Sequence, residues 1–188
     1  MAAGQLYYAD SDPELVALRL ACKDLCWQYN QLRPSQTEER RALLGRLLGG
    51  TGERFHLEPS LWFDYGKNIF LGEDFYSNHN LVILDVAPVT FGDHVLLGPN
   101  CGFYTAGHPV DAERRDAGLE YGRPITVGSS VWFGGSVSVM PGVRIGSNVV
   151  IAGGSVVVKD IPDNVVAAGN PCRVLRPITQ ADRLREYP

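Results

Sequence analysis

The second half of the chain repeats every six residues. Read in sixes from Val127, it runs VGSSVW, FGGSVS, VMPGVR, IGSNVV, IAGGSV and VVKDIP. The first position is always Val, Phe or Ile, and the same spacing recurs in the earlier segments that start at Leu71, Phe91 and Leu97. An amphipathic helix cannot keep a strict period of six, whereas short β segments with regular turns return the first side chain to the interior. The repeat therefore predicts an all-β solenoid.

An ordinary β-sandwich with frequent turns is the alternative, but too many units share one spacing for that fold. The fifth residue of the first four units is also valine. The second position is usually small, as at Gly128, Gly134, Gly146 and Ala152. We expect these small residues to let the backbone bend sharply at each corner of the solenoid.

The chain before Thr51 follows a helical pattern instead. Asp12-Pro13-Glu14 supplies an N-cap and a proline at the first helical position, and Ser35-Gln-Thr-Glu38 predicts a capping box for a second helix. Gly49-Gly50 should end that helix. The expected apolar positions are Leu15, Leu18, Cys22, Leu25, Cys26 and Tyr29 in the first helix, and Ala42, Leu43, Leu47 and Leu48 in the second. Such a hairpin is too small to stand alone and must pack on the solenoid.

Composition limits the partners and the compartment. With 17 Lys and Arg against 21 Asp and Glu, the net charge of −4 argues against a nucleic-acid partner. No apolar run is long enough to span a membrane, and the first residues lack the pattern of a signal peptide. The four cysteines show no C-x-x-C spacing. We therefore expect a cytoplasmic protein with reduced, buried thiols.

Four segments together resemble a known family. They are GQLYYADSDPEL (4–15), DYGKNIFLGEDFYSNHNLVILD (64–85), TAGHPVD (105–111) and VVKDIPDNVVAAGNPCRVLR (157–176). With the hexads, they are similar to the maltose and galactoside O-acetyltransferases, which are hexapeptide-repeat transferases. The resemblance covers nearly the whole chain. It implies a left-handed parallel β-helix of triangular section with three hexads per coil, and a homotrimer with active sites between subunits.

The resemblance also implies a division of the chain. A helical appendage is expected over residues 1–52, and a β-helix domain with a C-terminal cap over residues 53–188. Between Phe103 and Ile125 the repeat is interrupted by a charged excursion, residues 106–124, before it resumes in phase. His108 stands at the base of this excursion, between Gly107 and Pro109.

Acetyl transfer to a hydroxyl needs a base, because an alcohol is a poor nucleophile at neutral pH. Histidine can take the hydroxyl proton during attack and pass it to the departing thiolate. His108 occupies the position of the family's catalytic base. The sequence has no G-x-S-x-G motif, and Cys101 and Cys172 look like small core residues. We therefore expect direct transfer from acetyl-CoA, with no acyl-enzyme and no metal.

The resemblance extends to residues that would bind the two substrates. Carboxylates and amides suit a sugar acceptor, and the expected acceptor-binding residues are Asp10, Asp64, Asn78 and Asp85. Val86 stands where the family has a further acceptor-binding residue. A backbone amide near Gly135 is expected to stabilise the oxyanion. The expected acetyl-CoA contacts are Trp132, Gly135, Gly153, Val158, Lys159, Arg173 and Arg176.

Three other functions are weaker alternatives. An antibiotic O-acetyltransferase would share the hexads and the loop histidine. A γ-type carbonic anhydrase would need a close pair of histidines, but His56, His79, His94 and His108 are all well separated along the chain. A non-catalytic β-helix scaffold would not bind coenzyme A.

Overall fold

The computed structural model describes residues 4–184 and Glu186; residues 1–3, 185, 187 and 188, at the outer ends of the two predicted regions, lie outside it. The chain forms a left-handed parallel β-helix of about six coils with a helical pair at its N-terminal end, as predicted. In chain order the elements are β1 (Tyr7–Tyr8), α1 (Pro13–Gln31), α2 (Thr37–Leu47), β2 (Gly50–Thr51), β3 (Phe55–Leu57), β4 (Leu61–Phe63), β5 (Ile69–Leu71), β6 (Phe75–Ser77), β7 (Leu81–Leu84), β8 (Val89–Phe91), β9 (Leu96–Leu97), β10 (Gly102–Tyr104), β11 (Ala106–Gly107), α3 (Ala112–Asp116), β12 (Leu119–Gly122), β13 (Ile125–Val127), β14 (Val131–Phe133), β15 (Ser138–Val139), β16 (Arg144–Ile145), β17 (Val149–Ile151), β18 (Val156–Val157), β19 (Val165–Ala168), β20 (Arg173–Pro177) and α4 (Gln180–Arg183).

The strands form three flat faces. The first face contains β2, β5, β8, β13 and β16; the second contains β3, β6, β9, β14, β17, β19 and β20; the third contains β4, β7, β10, β15 and β18. Pairing is parallel throughout, except that β20 returns antiparallel to β19. We call the turn from the first to the second face the first corner, the turn from the second to the third face the second corner, and the turn back to the first face the third corner.

The coils differ in length. Trp62 pairs with Val82 and Val82 with Gly102, so each of these early coils is two residues longer than three hexads. The register Trp132 to Val150 is that of three hexads, as predicted, whereas Val150 to Val166 is two residues shorter. The prediction of a uniform coil was therefore wrong for the early coils. Their two additional residues lie at the third corner, where the excursion is also inserted.

Glycine at the second position of the hexad has a different role from the one expected. A Cβ at Gly92 would come within 2.8 Å of the Gly128 backbone, and one at Gly134 within 2.4 Å of Gly153. Glycine is required there because successive coils approach each other closely. Most of the left-handed residues at the first and second corners are non-glycine residues two positions later, such as His94 (φ 57°) and Asn148 (φ 53°).

The first residue of each hexad points inward, as predicted. Val127, Phe133, Val139, Ile145, Ile151 and Val157 are all at most 3% exposed. The wider core contains a ladder of edge-to-face rings from Phe75 through Phe91 and Phe103 to Phe133, with centroids 4.9 to 5.4 Å apart. Such contacts add to the apolar burial that holds neighbouring coils together.

The two helices close the N-terminal end of the solenoid. The carboxylate of Asp12 accepts from the N–H groups of Glu14 (2.9 Å) and Leu15 (3.3 Å), which confirms the predicted N-cap of α1. Asn30 bonds both the N–H and the carbonyl of Leu61, each at 2.9 Å. The buried Arg40 donates to the carbonyl of Leu57 at 2.7 Å. These side chains supply partners for backbone groups that no further coil would satisfy.

Three details of the helical prediction were wrong. The capping box at Ser35–Glu38 does not form, because α2 begins at Thr37 after Gln36. Leu18 is 51% exposed, since the contacts of α1 with the first coil come from Cys22, Tyr29 and Asn30 in its later turns. In α2, Leu44 is buried, whereas the predicted Ala42 is exposed.

All four cysteines are buried and free, as predicted. In the part of the chain that is described, no helix has the length and apolar character needed to cross a membrane.

Candidate active site

The excursion contains secondary structure that its sequence does not predict. Strand β11 pairs antiparallel with β12, the short helix α3 joins them, and β1 adds to the outer edge of β12. Residues from the N-terminal leader and from the excursion therefore form one three-stranded sheet. His108 follows β11 directly and lies at the base of this sheet.

The ring of His108 is oriented by a backbone carbonyl. Its Nδ1 lies 3.1 Å from the carbonyl oxygen of Leu119. Because a carbonyl only accepts, Nδ1 carries the proton and Nε2 keeps its lone pair when the ring is neutral. The side chain is 54% exposed. This tautomer and exposure leave Nε2 available to take a proton from a bound hydroxyl.

Glu120 is a neighbour of His108 that sequence reasoning missed. Its Oε2 lies 3.9 Å from Nε2 of His108, and its Oε1 accepts a hydrogen bond from the hydroxyl of Tyr7. Burial and this bond to a carboxylate raise the pKa of Tyr7, so the hydroxyl stays a donor. Nothing in the excursion sequence could have selected Glu120 among its several acidic residues.

Asp10 follows β1 closely in the chain, and Asp64 lies within electrostatic range of Glu120. Arg19 donates to Asp10 and to the hydroxyl of Tyr65, both at 2.9 Å. Burial raises the pKa of Asp64, with Glu120 acting in the same direction and Lys23 and Arg19 opposing it. This electrostatic coupling connects Asp64 to the region of His108. The side chain of Asp10 is 97% exposed. Both carboxylates remain candidates for binding an acceptor.

Asp85 differs from the other predicted acceptor residues because it is fully buried. Its Oδ1 accepts from the N–H groups of Asp64 (3.0 Å) and Tyr65 (2.9 Å), and its Oδ2 from that of Asn68 (3.3 Å). Burial raises its pKa to about 6, although hydrogen bonds from the N–H groups of Tyr65, Asn68 and Asp85 itself lower it. These contacts hold the third corner of the preceding coil. We therefore give Asp85 a structural role and leave it out of the proposed acceptor site.

Replacing Asp85 with alanine should destabilise the protein by about 3 kcal/mol, since buried N–H groups left without an acceptor each cost about 1–3 kcal/mol. Urea unfolding at pH 7.5 measures this loss. Asp160→Ala is the matched control, because Asp160 is exposed and, among the described residues, accepts a single bond from the N–H of Arg144. Equal stability of the Asp85 variant and the wild type would contradict the structural role.

The second corner brings together a different set of predicted residues. Asn78 lies in an early coil, and Gly135 and Gly153 lie at the same corner in later coils. Trp132 points outward from the adjacent second face and is 54% exposed. Within residues 4–184, the N–H of Gly135 donates to no protein atom. A Cβ there would meet Pro99 at 3.4 Å, so the corner has space beside the main chain.

The predicted coenzyme residues at the C-terminal end come from two segments of the chain. Val158 and Lys159 are exposed at the third-corner end of β18, whereas Arg173 lies opposite Ala168 at the end of β19. Arg176 makes a two-point ion pair with Asp182, with N to O distances of 2.7 and 2.8 Å. Arg176 is therefore engaged by the C-terminal cap.

The described residues contain no group of three His, Cys, Asp or Glu side chains arranged to hold a metal ion. His79 and His94 lie at the second and first corners, respectively.

Comparison with known proteins gives two family matches. A model described as the maltose acetyltransferase hexapeptide capping motif matches residues 1–52, and one described as the bacterial transferase hexapeptide, six repeats, matches residues 124–159. A putative acetyltransferase of Saccharomyces cerevisiae is 54% identical over 179 residues, which are 95% of this chain and 91% of the relative.

Two solved structures have nearly the same fold. A maltose O-acetyltransferase from Clostridium difficile superposes with a TM-score of 0.93 at 46% identity and covers 95% of both chains. A galactoside acetyltransferase in complex with coenzyme A gives the same TM-score and identity, over 96% of this chain and 90% of that one. From repeat, fold and likeness together, this chain belongs to the maltose and galactoside O-acetyltransferase family of hexapeptide-repeat acyltransferases.

Proposed function

We propose that the protein transfers an acetyl group from acetyl-CoA to a hydroxyl of a sugar, with His108 as general base. The observation that carries this proposal is the half-exposed ring of His108, in which the bond from Nδ1 to the carbonyl of Leu119 leaves the lone pair on Nε2. The relative solved with coenzyme A supports the donor. The buried free thiols fit a reducing cytoplasm.

The transfer requires one base and one oxyanion donor. Nε2 of His108 takes the proton of the acceptor hydroxyl while its oxygen attacks the thioester carbonyl. As the tetrahedral intermediate collapses, the C–S bond breaks and the imidazolium returns the proton to the coenzyme thiolate. The N–H of Gly135 suits the developing oxyanion because it has no partner among the described residues.

These two groups lie at different corners of one chain. Gly135 is at the second corner and His108 leaves the solenoid at the third, with the third face between them. Pro99 lies beside Gly135, and the chain runs six residues from Pro99 to Thr105 before the excursion begins, or about 20 Å if it is extended. Two reacting groups must instead lie within a few ångström of one substrate. We therefore infer that each reaction centre combines the base of one subunit with the groove of another.

The outward side chains of the faces support this assembly. The second face presents Tyr76, Leu96 and Trp132 in register, and Leu96 is 47% exposed. The first face presents Phe70 in its early coil and then Thr90, Thr126 and Arg144. An exposed apolar row like that of the second face is typical of a subunit surface. Three copies around a threefold axis close such a contact, in agreement with the expected homotrimer.

Lys159 and Arg173 are the cations that best suit the coenzyme phosphates. Lys159→Ala should raise the KM for acetyl-CoA about tenfold to a hundredfold with little change in kcat, because a charge-assisted contact contributes about 1.5–3 kcal/mol to ground and transition state alike. Steady-state kinetics with acetyl-CoA and acetyl-dephospho-CoA measure the effect. If the wild type and the variant show the same preference between these donors, Lys159 does not hold the 3′-phosphate.

The function is tested by thiol release from acetyl-CoA with a panel of acceptors. Maltose, glucose and galactosides should support turnover, and hydroxylated antibiotics should not. Preferred use of an antibiotic would favour the xenobiotic alternative, and failure to bind coenzyme A would favour a non-catalytic scaffold.

A further inference from the structure

The carboxylate of Glu120 is unusual in its surroundings. The side chain is only 13% exposed, although it lies in a charged excursion. Its two oxygens have different neighbours: Oε1 accepts from Tyr7, and Oε2 faces Nε2 of His108 at 3.9 Å. A carboxylate with so little solvent needs hydrogen-bond donors or positive charge close by.

The neutral form of His108 supplies no such charge. Nδ1 donates to the carbonyl of Leu119, so Nε2 is unprotonated in the neutral ring. Nε2 therefore faces Glu120 with its lone pair. A lone pair that faces a carboxylate gains no favourable electrostatic interaction from it. Once Nε2 has taken a proton, the same 3.9 Å separates a cation from an anion, and the contact becomes attractive. The interaction therefore strengthens as the proton moves, which is the condition for lowering an activation barrier.

Tyr7 is placed to keep Glu120 in this position. Strand β1 pairs with β12 so that Tyr7 lies opposite Glu120 and Tyr8 opposite Leu119. The N-terminal leader thus contacts both residues that surround the ring of His108. The hydroxyl of Tyr7 donates a hydrogen bond to Oε1 of Glu120, so the other oxygen, Oε2, is the one that faces Nε2 of His108.

We propose that Glu120 stabilises the imidazolium that His108 becomes during acetyl transfer, and that Tyr7 fixes Glu120 for this purpose. The inference rests on the proposed function. Glu120 acts through His108 and is a positioning residue: it exchanges no proton, and the proton that leaves the acceptor hydroxyl returns to the coenzyme thiolate.

The test is Glu120→Gln, which keeps the shape of the side chain and an oxygen for Tyr7 but removes the charge. We expect kcat to fall about tenfold to a hundredfold, with the KM for acetyl-CoA and the melting temperature unchanged. Tyr7→Phe should lower kcat by a smaller factor. Tyr8→Phe is the matched control, because Tyr8 is the adjacent residue of β1 and is 54% exposed, and its kcat should equal that of the wild type.

The decisive measurement repeats Glu120→Gln on a chain that already carries His108→Ala. Without an imidazolium to stabilise, the second substitution should leave the residual rate unchanged. The same fold loss in both backgrounds would overturn the inference, because Glu120 would then act on the acceptor and not through His108. So would a Glu120→Gln variant with wild-type kcat, or an equal loss in Tyr7→Phe and Tyr8→Phe. A wild type that acetylates no acceptor would refute the proposed function itself.

Discussion

Replacing His108 with alanine should lower kcat by about two to four orders of magnitude, the usual contribution of a positioned general base. The affinity for acetyl-CoA should stay nearly unchanged, because Nε2 acts on a proton in the transition state and holds no part of the coenzyme in the ground state. Steady-state kinetics with a saturating sugar, together with a direct titration of coenzyme A, separate the two quantities.

The matched control is His94→Asn. His94 is another exposed histidine of the solenoid, and its φ of 57° suits asparagine, which adopts a similar φ at the equivalent corner position 148. This variant should keep wild-type kcat. If His108→Ala turned over at a rate close to that of His94→Asn, His108 would not be the base.

Two inactive variants should restore activity when they share a trimer. His108→Ala removes the base but leaves the groove intact, and Gly135→Trp fills the groove but leaves the base. Each alone should be nearly inactive. In co-expressed mixtures, about a quarter of the sites should combine an intact base with an intact groove, by random assortment around a closed ring. Co-purification with two affinity tags, followed by the kinetic assay, measures this recovery.

The control for that experiment is His108→Ala carried on both tagged chains, which should stay inactive. No recovery in the mixed trimers would mean that base and groove belong to one chain. Sedimentation of each preparation shows whether the trimer has formed, and a stable monomer with full activity would contradict the assembly itself.

The sequence predicts the solenoid well because the geometry of the coil itself imposes the six-residue period on the sequence. Every sixth side chain must point inward, and Val127, Phe133 and Ile151 do so. His108 could be found for a similar reason: it stands where the period breaks. A residue beside a break in a regular pattern is visible without knowledge of the fold.

The rest of the site depends on contacts between residues far apart in the chain. Tyr7 and Glu120 are 113 positions apart and meet only because β1 joins β12. Asp85 looks like a surface carboxylate in sequence, yet the fold surrounds it with backbone donors. No local pattern distinguishes a carboxylate that binds a substrate from one that closes a corner.

The third corner is also where this architecture tolerates change. The first and second corners repeat a left-handed residue in successive coils, and ladders such as Asn80 to Asn100 (2.9 Å) connect them. The third corner instead carries two additional residues in the early coils and the whole excursion later, while the strands on either side stay in register. Loops of new length and chemistry can therefore be exchanged at this edge during evolution, so one scaffold can acquire new acceptors while its donor groove is retained.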